Sequence, residues 1–380
     1  MIWLVEGLAV FLVSLVLTGI IIPQILLIAF RKNLFDVPDE RKIHKAAVPR
    51  LGGISFMPAI IFSLCFVAAM EMMFNITPSA FDSACAPDSS MALTLSFGIC
   101  SIMLIYLVGM ADDLVGVKYR AKFVVQILVG LMVAAGGARV DSLYGMLGIY
   151  ELPTVISWGL TVFLVVFITN AINLIDGIDG LASGLSAIAM SFYAVVFMVL
   201  GLPMLADVAF AGLGALVPFF YYNVFGNPDK QKKIFMGDTG SLTIGLLLSF
   251  LSLVLCRLPE SSTVFGSNVL VVAFAPLAIP CLDVVRVFFH RVVRGHSPFL
   301  PDRVHIHHKI LALGVPQRLA MISIVVCSGM LIGFNLWLGT LTGPFTVLAV
   351  DLALWVILNL GLTRAICRRQ ARLGISKGYE

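Results

Sequence analysis

Asn170, Asn173, Asp176 and Asp179 follow one another at steps of three in the stretch Asn170 to Leu181, which reads N-A-I-N-L-I-D-G-I-D-G-L. The first three share one face on the last turns of a helix. The two Asp-Gly steps then end that helix and fold the chain into a tight turn. The run ahead of them is apolar enough to cross a bilayer, where polar groups are costly unless they line a wet or functional site. A capped helix end accounts for one Asp-Gly pair, but two amides and two acids so close together favour a site of oxygen donors.

Four more stretches carry chemistry-grade residues. Asp36 to Gly53 (D-V-P-D-E-R-K-I-H-K-A-A-V-P-R-L-G-G) is a cationic segment punctuated by Pro and Gly, with Lys45 and Arg50 suited to a phosphate group. Asp112 and Asp113 are adjacent acids at the end of an apolar run; they either face a cation or cap a helix. F-M-G-D-T-G-S, Phe235 to Ser241, opens another apolar helix, where small residues leave backbone N–H groups free for an anion and Asp238 can face a metal. P-D-R-V-H-I-H-H, Pro301 to His308, gathers Arg303, His305, His307 and His308 as phosphate-grade donors. Zinc is disfavoured there, because the spacing is not the helical His pair with an intervening Glu and no cysteine accompanies it. Asp283 and Arg286, three apart, read as a local ion pair. Asp351, inside an apolar run, reads as a buried hydrogen bond.

These stretches need elements to hold them, and composition says which. Of 380 residues 60% are hydrophobic and 12% charged, and the mean hydropathy is +1.03. A soluble domain carries about 25% charged residues, so an all-α polytopic membrane protein is expected. Eleven runs approach the ~20 residues that span a bilayer: 3–30, 53–74, 91–110, 123–138, 152–174, 181–200, 204–225, 242–258, 269–287, 319–338 and 345–362. All lysines and arginines except Arg139 and Arg257 follow odd-numbered runs, counting Arg286 and Arg291 at the inner end of the ninth. That asymmetry predicts an N-terminus outside, a C-terminus in the cytoplasm, and every polar constellation above on the cytoplasmic face. The first run lacks a basic leader and a small-residue cleavage site, so it is expected to remain in the mature protein. Residues 1–363 are expected to form a single integral-membrane domain, with 364–380 a basic cytoplasmic tail near anionic lipid.

Acid and amide oxygens select Mg²⁺ or Mn²⁺, and cations around such an ion mean phosphates. Taken in order, the His-Lys and Pro-Arg-Leu-Gly-Gly segment, Asp-Asp, N-x-x-N-x-x-D-G-x-D-G-L, F-M-G-D-T-G-S and P-D-R-x-H-I-H-H resemble the motifs of the polyprenyl-phosphate N-acetylhexosamine-1-phosphate transferases. Within that superfamily the chain is most similar to bacterial undecaprenyl-phosphate N-acetylglucosamine-1-phosphate transferases. The resemblance implies transfer of a sugar 1-phosphate from a UDP-sugar to a polyprenyl phosphate with release of UMP, an early lipid-linked step of cell-envelope polysaccharide synthesis in the bacterial inner membrane. It implies Asp238 as the main magnesium ligand with Asn173 and Asp176 beside it, and catalytic roles for Asp112, Asp113, Asp176, Asp179, His305, His307 and His308. It also implies substrate contacts from Lys45, Arg50, Asn170, Asn173, Phe235 (against uracil) and Arg303. A homodimer is among the assemblies it implies, and no nucleic-acid partner is expected. Ile306 interrupts the histidines, which favours the N-acetylglucosamine branch over one using UDP-muramoyl-pentapeptide or another UDP-N-acetylhexosamine. A secondary transporter is the rival of another class, but its ionisable residues belong near the bilayer midplane.

Overall fold

The structure is a computed structural model that describes residues 2–35, 48–74, 89–258, 263–295 and 304–374. Lys45 and Arg303 lie outside the described residues. The helices are α1 (Ile2–Lys32), α2 (Phe56–Phe74), α3 (Ser89–Val115), α4 (Tyr119–Ala135), α5 (Thr154–Ile175), α6 (Leu181–Val199) and α7 (Pro203–Val224). They continue as α8 (Gly237–Leu255), α9 (Val269–Phe274), α10 (Ala278–Val293), α11 (Ile306–Ala312), α12 (Gln317–Leu341) and α13 (Pro344–Leu373). Pro276 sits in a short 3-10 turn, Ala275–Leu277, that separates α9 from α10 inside the expected ninth run. Proline removes a helical N–H and cannot continue a regular ladder there.

Ten helices among the described residues are long and apolar enough to cross a membrane, counting α9 and α10 as one. The remaining expected span is α4, with 17 residues and a length of about 26 Å at 1.5 Å per residue. Its first turn contains Arg120 and Lys122, which leaves a shorter apolar stretch behind them. α13 continues through Arg364, Arg368, Arg369 and Arg372.

α8 is the axis of the bundle: every residue from Thr239 to Leu255 is buried. A helix apolar on all sides belongs in the interior, and α3 and α5 pack closely along it. Small residues permit the approach, as expected for helices packing without a hydrophobic gradient between them. A Cβ on Gly245 would lie 2.9 Å from the Thr169 backbone, and one on Gly109 would lie 2.6 Å from that of Thr239. Hydroxyls in its middle turns are satisfied within the helix: Thr243 donates to the Thr239 carbonyl at 2.6 Å and Ser249 to that of Gly245 at 2.8 Å. By contrast, α1 exposes Leu8, Leu12, Val16 and Ile20, a stripe at helical spacing suited to lipid. Asp351 makes the hydrogen bond expected of it, accepting from Asn335 Nδ2 at 2.7 Å.

Candidate active site

The inner architecture of the site starts at the Pro-Arg-Leu-Gly-Gly segment. Phe235 N–H donates to the Pro49 carbonyl at 2.8 Å, Gly52 N–H to Phe235 at 2.9 Å, and Gly53 N–H to Met236 at 2.9 Å. The loop is thus zipped to the chain entering α8. Gly53 is required by contact, since a Cβ there would stand 2.0 Å from the Gly240 nitrogen. Gly237 has φ +71° and a Cβ on it would meet the Arg50 carbonyl at 2.1 Å, so both the backbone conformation and the space demand glycine. These contacts hold Arg50 beside the start of α8.

Asp113 closes that start. Its carboxylate accepts from the Asp238 N–H at 2.8 Å, the Thr239 N–H at 2.8 Å and the Thr239 hydroxyl at 2.5 Å. Helix N-termini have unsatisfied N–H groups that an acid caps well. The two sequence readings of the Asp112-Asp113 pair therefore divide between its members: Asp113 caps a helix, though α8 rather than the one following, and Asp112 faces a cation. Asp113→Asn keeps one acceptor oxygen and loses the charge, so a stability loss of about 1–2 kcal/mol is expected. Thermal unfolding of the purified variant checks this, with the melting temperature lowered.

The cation that Asp112 faces is Lys122, from the first turn of α4. Lys122 Nζ lies 2.9 Å from Asp112 Oδ2 and 2.7 Å from Asp238 Oδ2, drawing the two acids to one point. Asn173 Nδ2 donates to Asp238 Oδ1 at 3.2 Å and to Ser241 Oγ at 2.7 Å. Asn170, one turn earlier, points to α4 instead: its Nδ2 donates to Gln126 Oε1 at 2.6 Å. Thus the two amides that share a helix face serve different ends, one at the acid cluster and one in helix pairing.

The Asp-Gly turn completes the cleft. Asn223 of α7 fixes it from behind, accepting from Gly180 N–H at 2.6 Å and donating to the Ile234 carbonyl at 2.9 Å. Asp179 pairs with Lys233 at 2.6 Å, and the same ammonium lies 5.9 Å from the centre of the Phe235 ring. Asp176 is open to solvent on one side. Loss of hydration in the crowded cleft and the charge of Asp179 push its carboxyl up to about 7, against the pull of Arg50, with Asp238 and Asp113 adding to the rise.

The histidines approach from α11. His305 Nδ1 is 2.8 Å from Asp283 Oδ2, and the expected Asp283 to Arg286 ion pair is present at 3.0 Å. Asp283 Oδ1 also takes the Ile306 N–H at 3.1 Å, so this acid anchors the start of α11. His307 is buried, with neither ring nitrogen hydrogen-bonded. Its Nε2 stands where a Cβ on Gly177 would be 2.2 Å away, which seats α11 against the Asp-Gly turn. Burial, then the neighbouring His308 and His305, push the His307 imidazole down to about 3, so it is neutral at physiological pH. His308 packs on it with ring centres 4.2 Å apart.

Lys122, Lys233 and Asn223 carry no sequence signal of their own that separates them from ordinary residues. A lysine beside a span reads as topology, and a lone asparagine near a helix end reads as a cap. The donor set fits a hard cation: Asp112 and Asp238 present oxygens around a point that Lys122 occupies with a single positive charge, and the Asn173 amide lies against Asp238. Among the described residues no three acids, histidines or cysteines are disposed to enclose a metal by themselves. Magnesium is usually held through one or two carboxylates plus substrate phosphates, with several waters kept.

Residues 95–256, which include most of α3 and all of α4 through α8, and hence the acids Asp112, Asp113, Asp176, Asp179 and Asp238, match the family described as Glycosyl transferase family 4. A probable undecaprenyl-phosphate N-acetylglucosaminyl 1-phosphate transferase of Bacillus subtilis (strain 168) is 32% identical over 328 residues, 85% of this chain and 81% of that protein. The undecaprenyl-phosphate alpha-N-acetylglucosaminyl 1-phosphate transferase of Escherichia coli (strain K12) is 31% identical over 306 residues, 80% of this chain and 76% of the relative. Its counterpart in Yersinia pestis is 29% identical over 308 residues, with 80% and 76% covered. Similarity of this extent establishes that the protein belongs to glycosyl transferase family 4, with the polyprenyl-phosphate N-acetylhexosamine-1-phosphate transferases.

Proposed function

We propose that this chain transfers N-acetylglucosamine 1-phosphate from UDP-N-acetylglucosamine to undecaprenyl phosphate, giving the lipid diphosphosugar and UMP. The observation that carries this reading is the meeting of Asp112 and Asp238 on Lys122, with Asn173 bonded to Asp238, at the ends of four helices, in a chain whose relatives bear that activity in their names. An oxygen of the lipid phosphate attacks the sugar-bearing phosphorus, and the bond from that phosphorus to the bridging oxygen of UMP breaks. Two anionic substrates must meet for this, and like unit charges ~4 Å apart repel by about 4 kcal/mol at an effective dielectric near 20. Arg50 and Lys233 offer positive charge on either side of the Asp-Gly turn, and Lys122 can exchange its acid partners for phosphate oxygens. Phe235 offers a ring for the uracil, next to Lys233.

Asp238, with Asn173 and Asp176, would hold Mg²⁺ or Mn²⁺. That ion supplies charge neutralisation at the phosphates in the transition state. A phosphate monoester with its second pKa near ~6 is largely dianionic at neutral pH, so no strong base is needed; Asp112 orients the lipid phosphate. In this reading eleven helices cross the bacterial inner membrane, α4 included, with the N-terminus outside and the cleft facing the cytoplasm, where the UDP-sugar is found.

Purified protein in detergent, given undecaprenyl phosphate, Mg²⁺ and UDP-N-acetylglucosamine, is expected to release UMP only when lipid and metal are both present. Release with another UDP-N-acetylhexosamine in preference would move the sugar assignment. No release with any UDP-sugar from folded protein would overturn the reading.

A further inference from the structure

α11, which carries His307 and His308 and starts at His305, has only seven residues. Isolated helices shorter than ~12 residues are marginal, so its orientation comes from what it touches. Asp283 anchors its first turn, and Gly177 leaves room for His307. Ile306, Ile310 and Leu311 rest against the core. The side bearing His308 and Lys309 instead borders a cavity of about 940 Å³, shared with Phe289 of α10 and with Trp355 and Leu360 of α13. Apolar packing does not close that side, and polar contacts from α13 cross it.

Lys309 is buried, and its Nζ donates to Asn359 Oδ1 at 3.2 Å and to Thr363 Oγ1 at 3.1 Å. Burial, then the nearby Arg286, push its pKa down to about 8 against the pull of Asp283, so at neutral pH it is chiefly an ammonium with N–H groups to donate. Asn359 and Thr363 stand four apart on one helix face, at the end of an otherwise apolar run. Polar side chains in such a helix are costly unless they are used. Their own hydrogens are already committed: Asn359 Nδ2 donates to the Trp355 carbonyl at 3.0 Å and the Thr363 hydroxyl to the Asn359 carbonyl at 2.8 Å. What they present to Lys309 is therefore a pair of acceptor oxygens. Further along α13, Arg369 Nη1 donates to the Ala312 carbonyl at 2.7 Å, at the C-terminal end of α11 where a cation suits the free carbonyls. A Cβ on Gly314 would meet that guanidinium at 2.4 Å, so the turn after α11 is fitted to the arginine.

We propose that the cytoplasmic end of α13 is a positioning arm for the histidine helix: Asn359 and Thr363, through Lys309, and Arg369, through the Ala312 carbonyl, hold α11 where its histidines meet the substrate diphosphate. These residues act through α11 and are positioning residues. Their role in the reaction depends on the transferase reading, whereas the seating of α11 does not. The basic end of α13 thus does more than attract anionic lipid, because one of its arginines reaches back toward the site.

The test uses the purified full chain. Asn359→Leu with Thr363→Val removes both acceptors at little change in volume. Misplacing a group by about 1 Å costs about 10²-fold, so kcat and kcat/KM for UDP-N-acetylglucosamine are expected to fall together by about that factor, with KM held within about twofold. Thr363→Ser keeps the hydroxyl and should retain the rate that Thr363→Val loses, a comparison that stands even if the double variant does not fold. Arg369→Ala should lower kcat about threefold, as loss of one hydrogen bond would, while Arg368→Ala removes the same charge from the same helix and should leave it unchanged. Without substrate, hydrogen exchange at the amides of α11 is expected to quicken about tenfold or more in the double variant while α8 stays protected. Quickened exchange in a protein whose wild type releases no UMP would sink the transferase reading, and the catalytic role with it, but leave the seating in place. Wild-type rates or wild-type exchange in the folded double variant, Thr363→Ser as impaired as Thr363→Val, or equal losses from Arg368→Ala and Arg369→Ala would each overturn the proposal.

Discussion

Asp238→Asn is expected to lower UMP release about 10³-fold, or about 4 kcal/mol at ~1.4 kcal/mol per tenfold, while the protein remains folded. The substitution is nearly isosteric and leaves the α8 N-terminus capped, because Asp113 bonds to the backbone N–H of residue 238 and not to its side chain. What it removes is the charge that faces Lys122 and that would hold the divalent cation. Lys122→Met should also be severe, since it leaves Asp112 and Asp238 facing each other without the ammonium between them. Residues acting as one unit are non-additive, so the double variant should fall little below Asp238→Asn alone. Initial rates of UMP release, read beside thermal unfolding of each variant, decide the matter. A loss of less than tenfold in folded Asp238→Asn would remove Asp238 from the centre of the reaction.

The acids of the cleft were legible because each stands in an apolar setting that gives no other reason for it. Asp176, Asp179 and Asp238 follow or open bilayer-length helices, and Asn173 shares their polarity, so the sequence marked them by contrast. Lys122 and Lys233 were invisible for the converse reason: positive charge beside a span already has an explanation in membrane topology. Asp113 looked equivalent to Asp112, and only the approach of α3 to α8 separates a cap from a cation partner. Asn359 and Thr363 show the same limit more sharply, since each is a lone polar residue beside an apolar run until α11 brings Lys309 to them. The helices themselves were nearly all readable from hydropathy. The break at Pro276, a backbone effect, was an exception, whereas the fourth run was already short in the sequence and α4 has 17 residues.

Gly177→Ala is expected to reduce activity about 10²-fold although it adds one methyl group. The new Cβ would lie 2.2 Å from His307 Nε2 and 2.5 Å from its Cε1, far inside any real contact. Misplacing a catalytic group by about 1 Å can cost about 10²-fold, and either response to the clash causes such a shift. If the turn gives way, Asp176 and Asp179 move; if His307 gives way, α11 loses its seat and carries His305 and His308 with it. His307 has little freedom, because its ring is packed between His305 and His308 and buried among atoms that offer it no hydrogen bond. The contact can be isolated by stability, independently of any catalytic role of the imidazole. Gly177→Ala should lower the melting temperature, and adding His307→Ala should restore part of it, because the truncated side chain vacates the space that the alanine methyl needs. A melting temperature unchanged by Gly177→Ala, or a double variant whose losses simply add, would show that the Asp-Gly turn and the histidine helix are not packed together at this point.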